Sequence, residues 1–249
     1  EYAEELEIEF LSTAFDLPSL NFLNEIGVKR FKIPSGEINN LPYLRQICKF
    51  KKPIIISTGM ADMSEIHEAI NIFLSSGFKK SDIAILHCTT QYPTLAAEVN
   101  LKAMLSIEKE FNTQIGYSDH TEGIDIAVSA VAMGAKIIEK HITLDRFSKG
   151  PDHLASIEPN DFKIMTKLIR RLELALGDGI KKPRSSELEI KMLVRKSIVA
   201  KKEIKEGELF SDSNLTVKRP GTGVSPMLWD QLIGKFSNKD YEKDELIKF

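Results

Sequence analysis

Short apolar or β-branched runs recur along the chain, and each is followed by a loop and then a longer stretch with helical periodicity. Six runs have the length and composition of buried β-strands: residues 8–15, 30–35, 53–59, 83–89, 113–119 and 136–143. The stretches between them repeat apolar residues three and four positions apart, as in segments 63–77 and 99–112. Alternating strands and helices predict right-handed βαβ units and a parallel sheet.

Polar residues end nearly every predicted strand, and they decide between two α/β architectures. These ends are Ser12-Thr13, Ser35 with Glu37, Ser57-Thr58, His87-Cys88-Thr89, Ser118-Asp119-His120 and Glu139-Lys140-His141. A closed barrel brings all such ends to one mouth, whereas an open sheet gathers only those at its switch point. The pattern favours a (β/α)8 TIM barrel with about six of its eight units present. We expect the two leading units to be absent from this chain, which would leave sheet edges open and the segment unstable or inactive by itself.

The character of the sequence changes near residue 180. Residues 1–180 carry the βα alternation, and residues 181–191 are polar, as expected of a linker. From residue 192 to 249 the apolar segments are short and are separated by charged turns and a Gly-Pro-rich loop. This last region predicts a small, β-rich second domain.

Composition excludes several classes of protein. Of the 249 residues 42% are hydrophobic and 28% charged, and the net charge of -2 gives no basic surface for nucleic acid. No apolar run approaches the length of a membrane span, roughly 18 residues. The two cysteines, Cys48 and Cys88, are too few for a disulfide framework. We therefore expect a cytoplasmic protein.

Two histidines follow neighbouring predicted strands and are candidates for a metal site. His120 and His141 can point at one divalent cation, because adjacent strands lie about 5 Å apart. So few protein ligands would leave positions open for substrate oxygens and water, as a Lewis acid requires. The alternative is that each histidine only caps its strand by hydrogen bonding to the backbone. His67 and His87 are expected to have no role in the site.

A second group of residues suggests an anion-binding pocket. Lys32 and Ser35 flank the turn after one strand, and Ser57 ends the next. A buried lysine is unfavourable unless it meets an anion, so these groups suit phosphate or carboxylate. The alternative is an ion pair between Lys32 and either Glu37 or Glu139. Asp152 follows Pro151 on a loop, where it is either a substrate-binding group or an ordinary turn residue.

Eight segments together resemble a known family in order and spacing. They are KIPSGE, STGM, HCTTQYPT, GYSDHTEG, EKHIT, GPDHLAS, RKSIVA and NLTVKRPGTGVSP. The chain is similar to the sialic acid synthases, the phosphoenolpyruvate-dependent N-acylneuraminate synthases. Its C-terminal region resembles their antifreeze-like (SAF) domain, a small β-clip.

The resemblance implies a reaction and its cofactor. Phosphoenolpyruvate condenses with the open-chain aldehyde of an N-acetylmannosamine-type sugar, giving a nine-carbon 2-keto acid such as sialic or legionaminic acid and releasing phosphate. Mn²⁺ or Mg²⁺, held by His120 and His141, would polarise the aldehyde oxygen. The alternative from another class is a non-catalytic sugar- or phosphate-binding remnant of such a barrel. Ice binding is disfavoured because the C-terminal region is strongly charged.

The resemblance also implies roles for individual residues. Thr13, Lys32, Ser35 and Ser57 correspond to phosphoenolpyruvate contacts, and Glu37 to a carboxylate that handles a proton or orients water. Tyr92 and Asp152 correspond to residues that bind the acceptor sugar, and Lys196 to a lysine near the active site. Arg219 corresponds to an arginine that the SAF domain inserts into the neighbouring subunit's barrel, which implies a domain-swapped homodimer. Sialic acid synthases often carry Asn at the position of Thr90, and the Thr-Gln form is closer to legionaminic acid synthases.

Overall fold

Five parallel strands form the sheet of the N-terminal unit in the computed structural model, which describes residues 2–248. They are β1 (Phe31–Ile33), β2 (Ile54–Ser57), β3 (Ile83–Cys88), β4 (Gln114–Asp119) and β5 (Ile137–Lys140). Their order in the sheet is their order in the chain, and every neighbouring pair is parallel. The predicted α/β fold with a parallel sheet is confirmed.

The strand predicted at residues 8–15 is not formed, so this part of the prediction is wrong. Only Thr13 pairs, through an isolated parallel bridge with Lys32 of β1. Ile8, Phe10 and Leu11 are exposed. A strand requires a continuous ladder of backbone partners, and hydrophobic content alone does not supply one. The structure therefore shows an open sheet of five strands, and the eight-unit count of a closed barrel stays a prediction.

Alternate residues of the strands face two different layers. On the inner face Ile55, Ala84 and Leu86 pack together with Ile137. The residues that alternate with these point to the outer face. They include Ile54, Ile56, Ile83 and Ile85, which join the main hydrophobic core beneath the helices. Because side chains alternate along a strand, the face of each later residue follows from this register.

Helices cover the outer face, and most of them bury apolar residues there. Their bounds are α1 Tyr2–Glu5, α2 Leu17–Glu25, α3 Leu41–Phe50, α4 Met63–Ser75, α5 Ala96–Val99, α6 Lys102–Phe111, α7 Asp125–Ala132 and α8 Pro159–Leu176. Several begin with a side-chain cap. At the start of α4, for example, Asp62 and Glu65 form a reciprocal capping box. Residues 2–248 contain no helix with the length and apolar character that a bilayer crossing requires.

The chain divides into two compact units between Asp178 and Gly179. The second unit contains α9 (Ser185–Val194), β6 (Ser197–Ala200), β7 (Leu215–Lys218) and α10 (Trp229–Leu232). β6 and β7 pair antiparallel around a small core that includes Ile198, Phe210 and Tyr241. Most of the predicted linker, residues 181–191, is helical, because α9 starts at Ser185.

Candidate active site

The carboxyl ends of the inner face place the polar side chains together. Beyond Ile137 the same face of β5 carries Glu139 and then His141, and on β4 the register pairs Ser118 with Glu139. The Ser118 hydroxyl donates a 2.7 Å hydrogen bond to Glu139 Oε1. Strand alternation therefore sends every second residue of β4 and β5 into one pocket.

Three aromatic rings meet at this edge. The ring centroids of His120 and His141 lie 5.3 Å apart, with the rings tilted by 74°. Tyr92, from the loop after β3, lies 4.1 Å from the His120 centroid and 5.5 Å from that of His141. His120 is buried, whereas Tyr92 and His141 face the open side of the pocket. The two histidines predicted from sequence are thus brought together.

In both imidazoles the Nδ1 atom faces an oxygen of the protein. Nδ1 of His120 lies 2.7 Å from the carbonyl oxygen of Thr89, to which only a protonated Nδ1 can donate. Nδ1 of His141 lies 3.9 Å from Asp152 Oδ2. A hydrogen-bonded Nδ1 directs Nε2 of His120 toward the open side as the electron-pair donor, the usual arrangement in metal sites. Nε2 of His120 lies 3.5 Å from Ser118 Oγ, its only side-chain hydrogen-bond partner among residues 2–248.

Electrostatics and spacing fit a divalent ion. Burial is the largest influence on the pKa of His120 and lowers it, so the neutral, metal-binding form is favoured. An ion about 2.1 Å from a ring nitrogen lies roughly 3 Å from the ring centroid, so rings separated by 5.3 Å can share one ion. Among residues 2–248, no three or more His, Cys, Asp or Glu side chains converge as a metal site. Two protein ligands would leave most of the coordination sphere to substrate and water.

Lys32 is connected to the pocket through Glu139. Its Nζ is 3.3 Å from Glu139 Oε2, and the lysine side chain is only 7% exposed. Of the two ion pairs that the sequence left open, the structure forms the one with Glu139. An anion would therefore bind Lys32 alongside that carboxylate or in its place. Thr13 is next to Lys32 through the isolated bridge.

Side chains at the ends of β1, β2 and β3 cluster around Gly59, and we call this cluster the recess. The Gly59 N–H donates to Ser35 Oγ at 2.9 Å, and Cys88 Sγ is 3.2 Å from the same oxygen. A Cβ placed on Gly59 would lie 2.1 Å from Thr90 Oγ1. Ser57 Oγ is buried and has no hydrogen-bond partner among residues 2–248. An unpaired buried hydroxyl is unfavourable by itself, which suits a site that receives a polar ligand.

The remaining predicted residues are Glu37 of the first unit and Arg219 and Lys196 of the second. Glu37 accepts a 2.6 Å hydrogen bond from Asn40, and within residues 2–248 no hydrogen bond or ion pair joins it to the pocket. Arg219 and Lys196 belong to the second unit. Arg219 Nε donates to the carbonyl oxygen of Val194 at 3.0 Å, and Lys196 lines a cavity of about 390 Å³ beside α9.

The sequence placed Ser118, Cys88 and Thr89 among the polar strand ends but gave them no role in the site, and it gave none to Gly59. Side chains alternate between the faces of a strand, so Glu139 and His141 lie on the same face as Ile137. By the same alternation, Ser118 lies on the same face as His120. Contacts made by backbone groups, such as the Thr89 carbonyl, leave no signal in side-chain chemistry.

Comparisons with known proteins identify relatives of both units. Residues 1–181 match the NeuB family, and residues 195–249 match the SAF domain. The N,N'-diacetyllegionaminic acid synthase of Campylobacter jejuni is 54% identical over 247 residues, covering 99% of this chain and 74% of that protein. The synthase of the same name from Legionella pneumophila is 48% identical, covering 94% of this chain and 66% of that protein. The crystal structure of N-acetylneuraminic acid synthetase from Leptospira borgpetersenii aligns with a TM-score of 0.70 at 39% identity, covering 76% of this chain and 65% of that one.

Proposed function

The chain belongs to the NeuB family, and on that premise we propose that it is a synthase that forms a carbon–carbon bond. It condenses phosphoenolpyruvate with an N-acylmannosamine-type sugar, gives a nonulosonic acid such as sialic or legionaminic acid, and releases phosphate. The observation that carries this proposal is the pair of imidazoles, 5.3 Å apart, beside a recess with a buried lysine and an unpaired hydroxyl.

The alternative of a non-catalytic binding protein is not favoured. A protein that only binds sugar or phosphate has no need for two converging imidazoles. The relatives at 54% and 48% identity are both named as synthases. The retained residues and the relatives therefore support the same assignment.

The residues of the pocket divide the work of binding. Mn²⁺ or Mg²⁺, held by Nε2 of His120 and His141, would polarise the aldehyde oxygen of the sugar. Lys32 offsets negative charge on phosphoenolpyruvate, while the hydroxyls of Ser35, Ser57 and Thr13 donate hydrogen bonds to its oxygens. Holding both substrates in one pocket replaces a bimolecular encounter with an oriented approach.

Two further residues have places suited to the acceptor sugar. Tyr92 packs against both imidazoles, so its ring can cover the aldehyde end and exclude water. Asp152, beside His141 at the open side, can accept hydrogen bonds from sugar hydroxyls. Glu37 is proposed to orient the attacking water, a role that requires it to exchange its Asn40 bond for one to that water.

Several proposals concern the whole assembly. A closed (β/α)8 barrel, a domain-swapped homodimer in which Arg219 and Lys196 complete the neighbouring site, and a cytoplasmic location all stay predictions. Mixing two inactive variants, H141A and R219A, tests the exchange of domains. If each site uses two chains, the mixture regains about a quarter of wild-type activity, since half the dimers are mixed and one of the two sites in each mixed dimer is intact.

The acceptor is proposed to be a 2,4-diacetamido sugar. Both relatives described above are named diacetyllegionaminic acid synthases. Thr90, at the edge of the recess, stands where sialic acid synthases often carry Asn. These two observations favour a 2,4-diacetamido sugar over N-acetylmannosamine, the acceptor of sialic acid formation.

A phosphate-release assay tests the function directly. The protein is incubated with phosphoenolpyruvate and either a 2,4-diacetamido sugar or N-acetylmannosamine, with and without EDTA, and the product is identified by mass spectrometry. We expect metal-dependent release of phosphate, faster with the diacetamido sugar, and a nine-carbon acid as the product. Absence of release with both sugars would contradict the synthase proposal, and release unaffected by EDTA would contradict the metal role.

A further inference from the structure

A buried ion-pair network lies directly behind the imidazoles. Asp119 Oδ2 accepts a 2.8 Å bond from Lys140 Nζ, and both side chains are almost fully buried, at 0% and 2% exposure. Asp119 Oδ1 accepts from the N–H of Thr121 at 2.9 Å and from its hydroxyl at 2.7 Å. Lys140 Nζ also donates to the carbonyl oxygen of Thr121 at 2.5 Å. We call these three residues the support network.

Strand alternation places the support network on the face opposite the pocket. Asp119 has the same parity as Tyr117, which belongs to the outer core, and Lys140 the same parity as Ile138, which packs against it. Each charged residue of the network immediately precedes one of the two histidines. The network therefore ties β4 to β5 at the one level of the sheet where both imidazoles leave it.

The network also reaches the loop that carries Tyr92. Thr121 forms an isolated parallel bridge with Thr94, whose N–H donates to the carbonyl oxygen of His120 at 2.9 Å. The Thr94 hydroxyl donates to the Gln91 carbonyl oxygen at 2.7 Å. One set of bonds thus connects all three segments that supply rings to the pocket.

Stability alone does not account for this arrangement. Removing two charges from water has a large desolvation cost, and well-packed apolar residues of similar volume are often as stabilising as a buried ion pair. The neighbouring outer positions are already apolar, so an apolar pair would fit the layer. An ion pair adds directionality, because its hydrogen bonds fix the two strand ends in one relative position.

We propose that Asp119, Lys140 and Thr121 are positioning residues that hold His120 and His141 at the separation and tilt that one divalent ion requires. This inference rests on the proposed function, because that function assigns the ion to the histidines. It adds a role for residues that touch neither substrate nor metal.

The test compares metal affinity with stability. In the double variant D119L/K140M an apolar pair of similar size replaces both charges, so no unpaired charge is left buried. R170Q/E173Q, which removes an exposed ion pair on α8, is the matched control. Binding of Mn²⁺ is measured by isothermal titration and by electron paramagnetic resonance, and Tm by thermal unfolding. We expect D119L/K140M to unfold near the wild-type Tm but to bind Mn²⁺ about 10–100-fold more weakly, as for other outer-shell changes. The control should bind as the wild type does.

Milder variants keep the test decisive if the double variant does not fold. T121V removes only the hydroxyl bond to Asp119 and should weaken Mn²⁺ binding several-fold, whereas K140R keeps the charge and should retain most of the affinity. Folded T121V or D119L/K140M with wild-type Mn²⁺ affinity would overturn the inference while leaving the synthase activity intact. Weakened binding in a protein without synthase activity would support the inference and refute the function. Wild-type protein whose Mn²⁺ binding is absent, or is unchanged by H120A, would overturn both.

Discussion

At the carboxyl edge of the sheet, the Asp119–Lys140 pair of the outer face differs from the Ser57 hydroxyl of the inner face in its hydrogen bonding. On the outer face Asp119 and Lys140 are buried and make several hydrogen bonds. On the inner face Ser57 Oγ is buried without a partner among residues 2–248. Fully paired groups stabilise one shape, whereas an unpaired buried group leaves a hydrogen bond to be made by a ligand. The comparison indicates that hydrogen-bond partners, more than polarity, distinguish the support network from the Ser57 hydroxyl.

The largest effect is expected for loss of an inner-face imidazole. H120A should lower kcat/KM about a thousandfold or more, because polarisation by a metal ion is worth several kcal/mol in the transition state. Steady-state phosphate release, together with Mn²⁺ titration, measures the loss. H67A removes an exposed imidazole that pairs with Glu110 and is the control, expected to retain full activity. Comparable activity of H120A and the wild type would show that His120 takes no part in the reaction.

Filling the recess should have the next largest effect. G59A places a methyl group 2.1 Å from Thr90 Oγ1 and 2.9 Å from both Ser35 Oγ and Cys88 Sγ. We expect KM for phosphoenolpyruvate to rise about 10–100-fold, since displacement of these groups by even 1 Å disturbs substrate positioning. In G36A nothing lies within 4 Å of the added methyl, so this variant controls for loss of glycine. A G59A enzyme with unchanged KM would show that the anion binds elsewhere.

Adjacent hydroxyls on the two faces allow the comparison to be made within one strand end. Ser57 Oγ is unpaired, while Thr58 Oγ1 donates to the Leu86 carbonyl oxygen at 2.9 Å. S57A should raise KM for phosphoenolpyruvate about tenfold without loss of stability, and T58V should lower the free energy of unfolding by about 1 kcal/mol with little change in KM. Urea unfolding and initial rates separate the two effects. The reverse pattern would contradict the division between binding and supporting groups.

A smaller effect is expected at alkaline pH, where the stability of the protein should depend on Tyr117 in the outer layer. Burial raises the pKa of Tyr117 well above its usual range, with Asp119 and Cys88 adding to the rise. In unfolded chains tyrosine ionises near pH 10, so above that pH the unfolded state binds fewer protons than the native state and stability falls as pH rises. The contribution is fully present below about pH 10, and its loss approaches roughly 1.4 kcal/mol per pH unit above it.

Y117F removes this pH-dependent loss and is the variant to compare with the wild type. Denaturant unfolding between pH 9 and 11 should show a shallower decline for Y117F. Because the Tyr117 hydroxyl has no partner among residues 2–248, its removal should not weaken the protein at pH 7. Y92F, on the half-exposed inner side, should change the decline much less. If stability declined equally steeply with pH in the wild type, Y117F and Y92F, the burial of the Tyr117 hydroxyl away from water would be contradicted.

The strands and their order could be predicted from sequence, because apolar runs such as residues 54–56 and 83–86 are buried on both faces. The convergence of His120 and His141 could also be predicted, since both follow parallel strands that end at one edge. The failure at residues 8–15 has a physical reason. Hydrophobic residues make a strand only where a neighbouring backbone offers a ladder, and here Lys32 alone pairs with Thr13.

Charge pairing was the least predictable feature. Asp119 and Lys140 look like strand-end residues of an active site, yet they point away from it. Sequence gave Lys32 two equivalent partners, and only the three-dimensional register selects Glu139 over Glu37. Polar composition likewise hid the helix α9, which begins with Glu187 accepting a hydrogen bond from the Arg184 N–H at 2.8 Å. In each case pairing depends on geometry that residue type does not encode.

The sheet keeps its strands in the order of the chain, and this gives the protein a modular plan. The groups assigned to the three-carbon phosphorylated acid come from one early stretch, residues 13–59. Those assigned to the carbohydrate come from a later stretch, residues 90–152. On the proposed assignments, we expect a chimera that replaces this later block and keeps residues 13–59 to change the acceptor while phosphoenolpyruvate stays the donor.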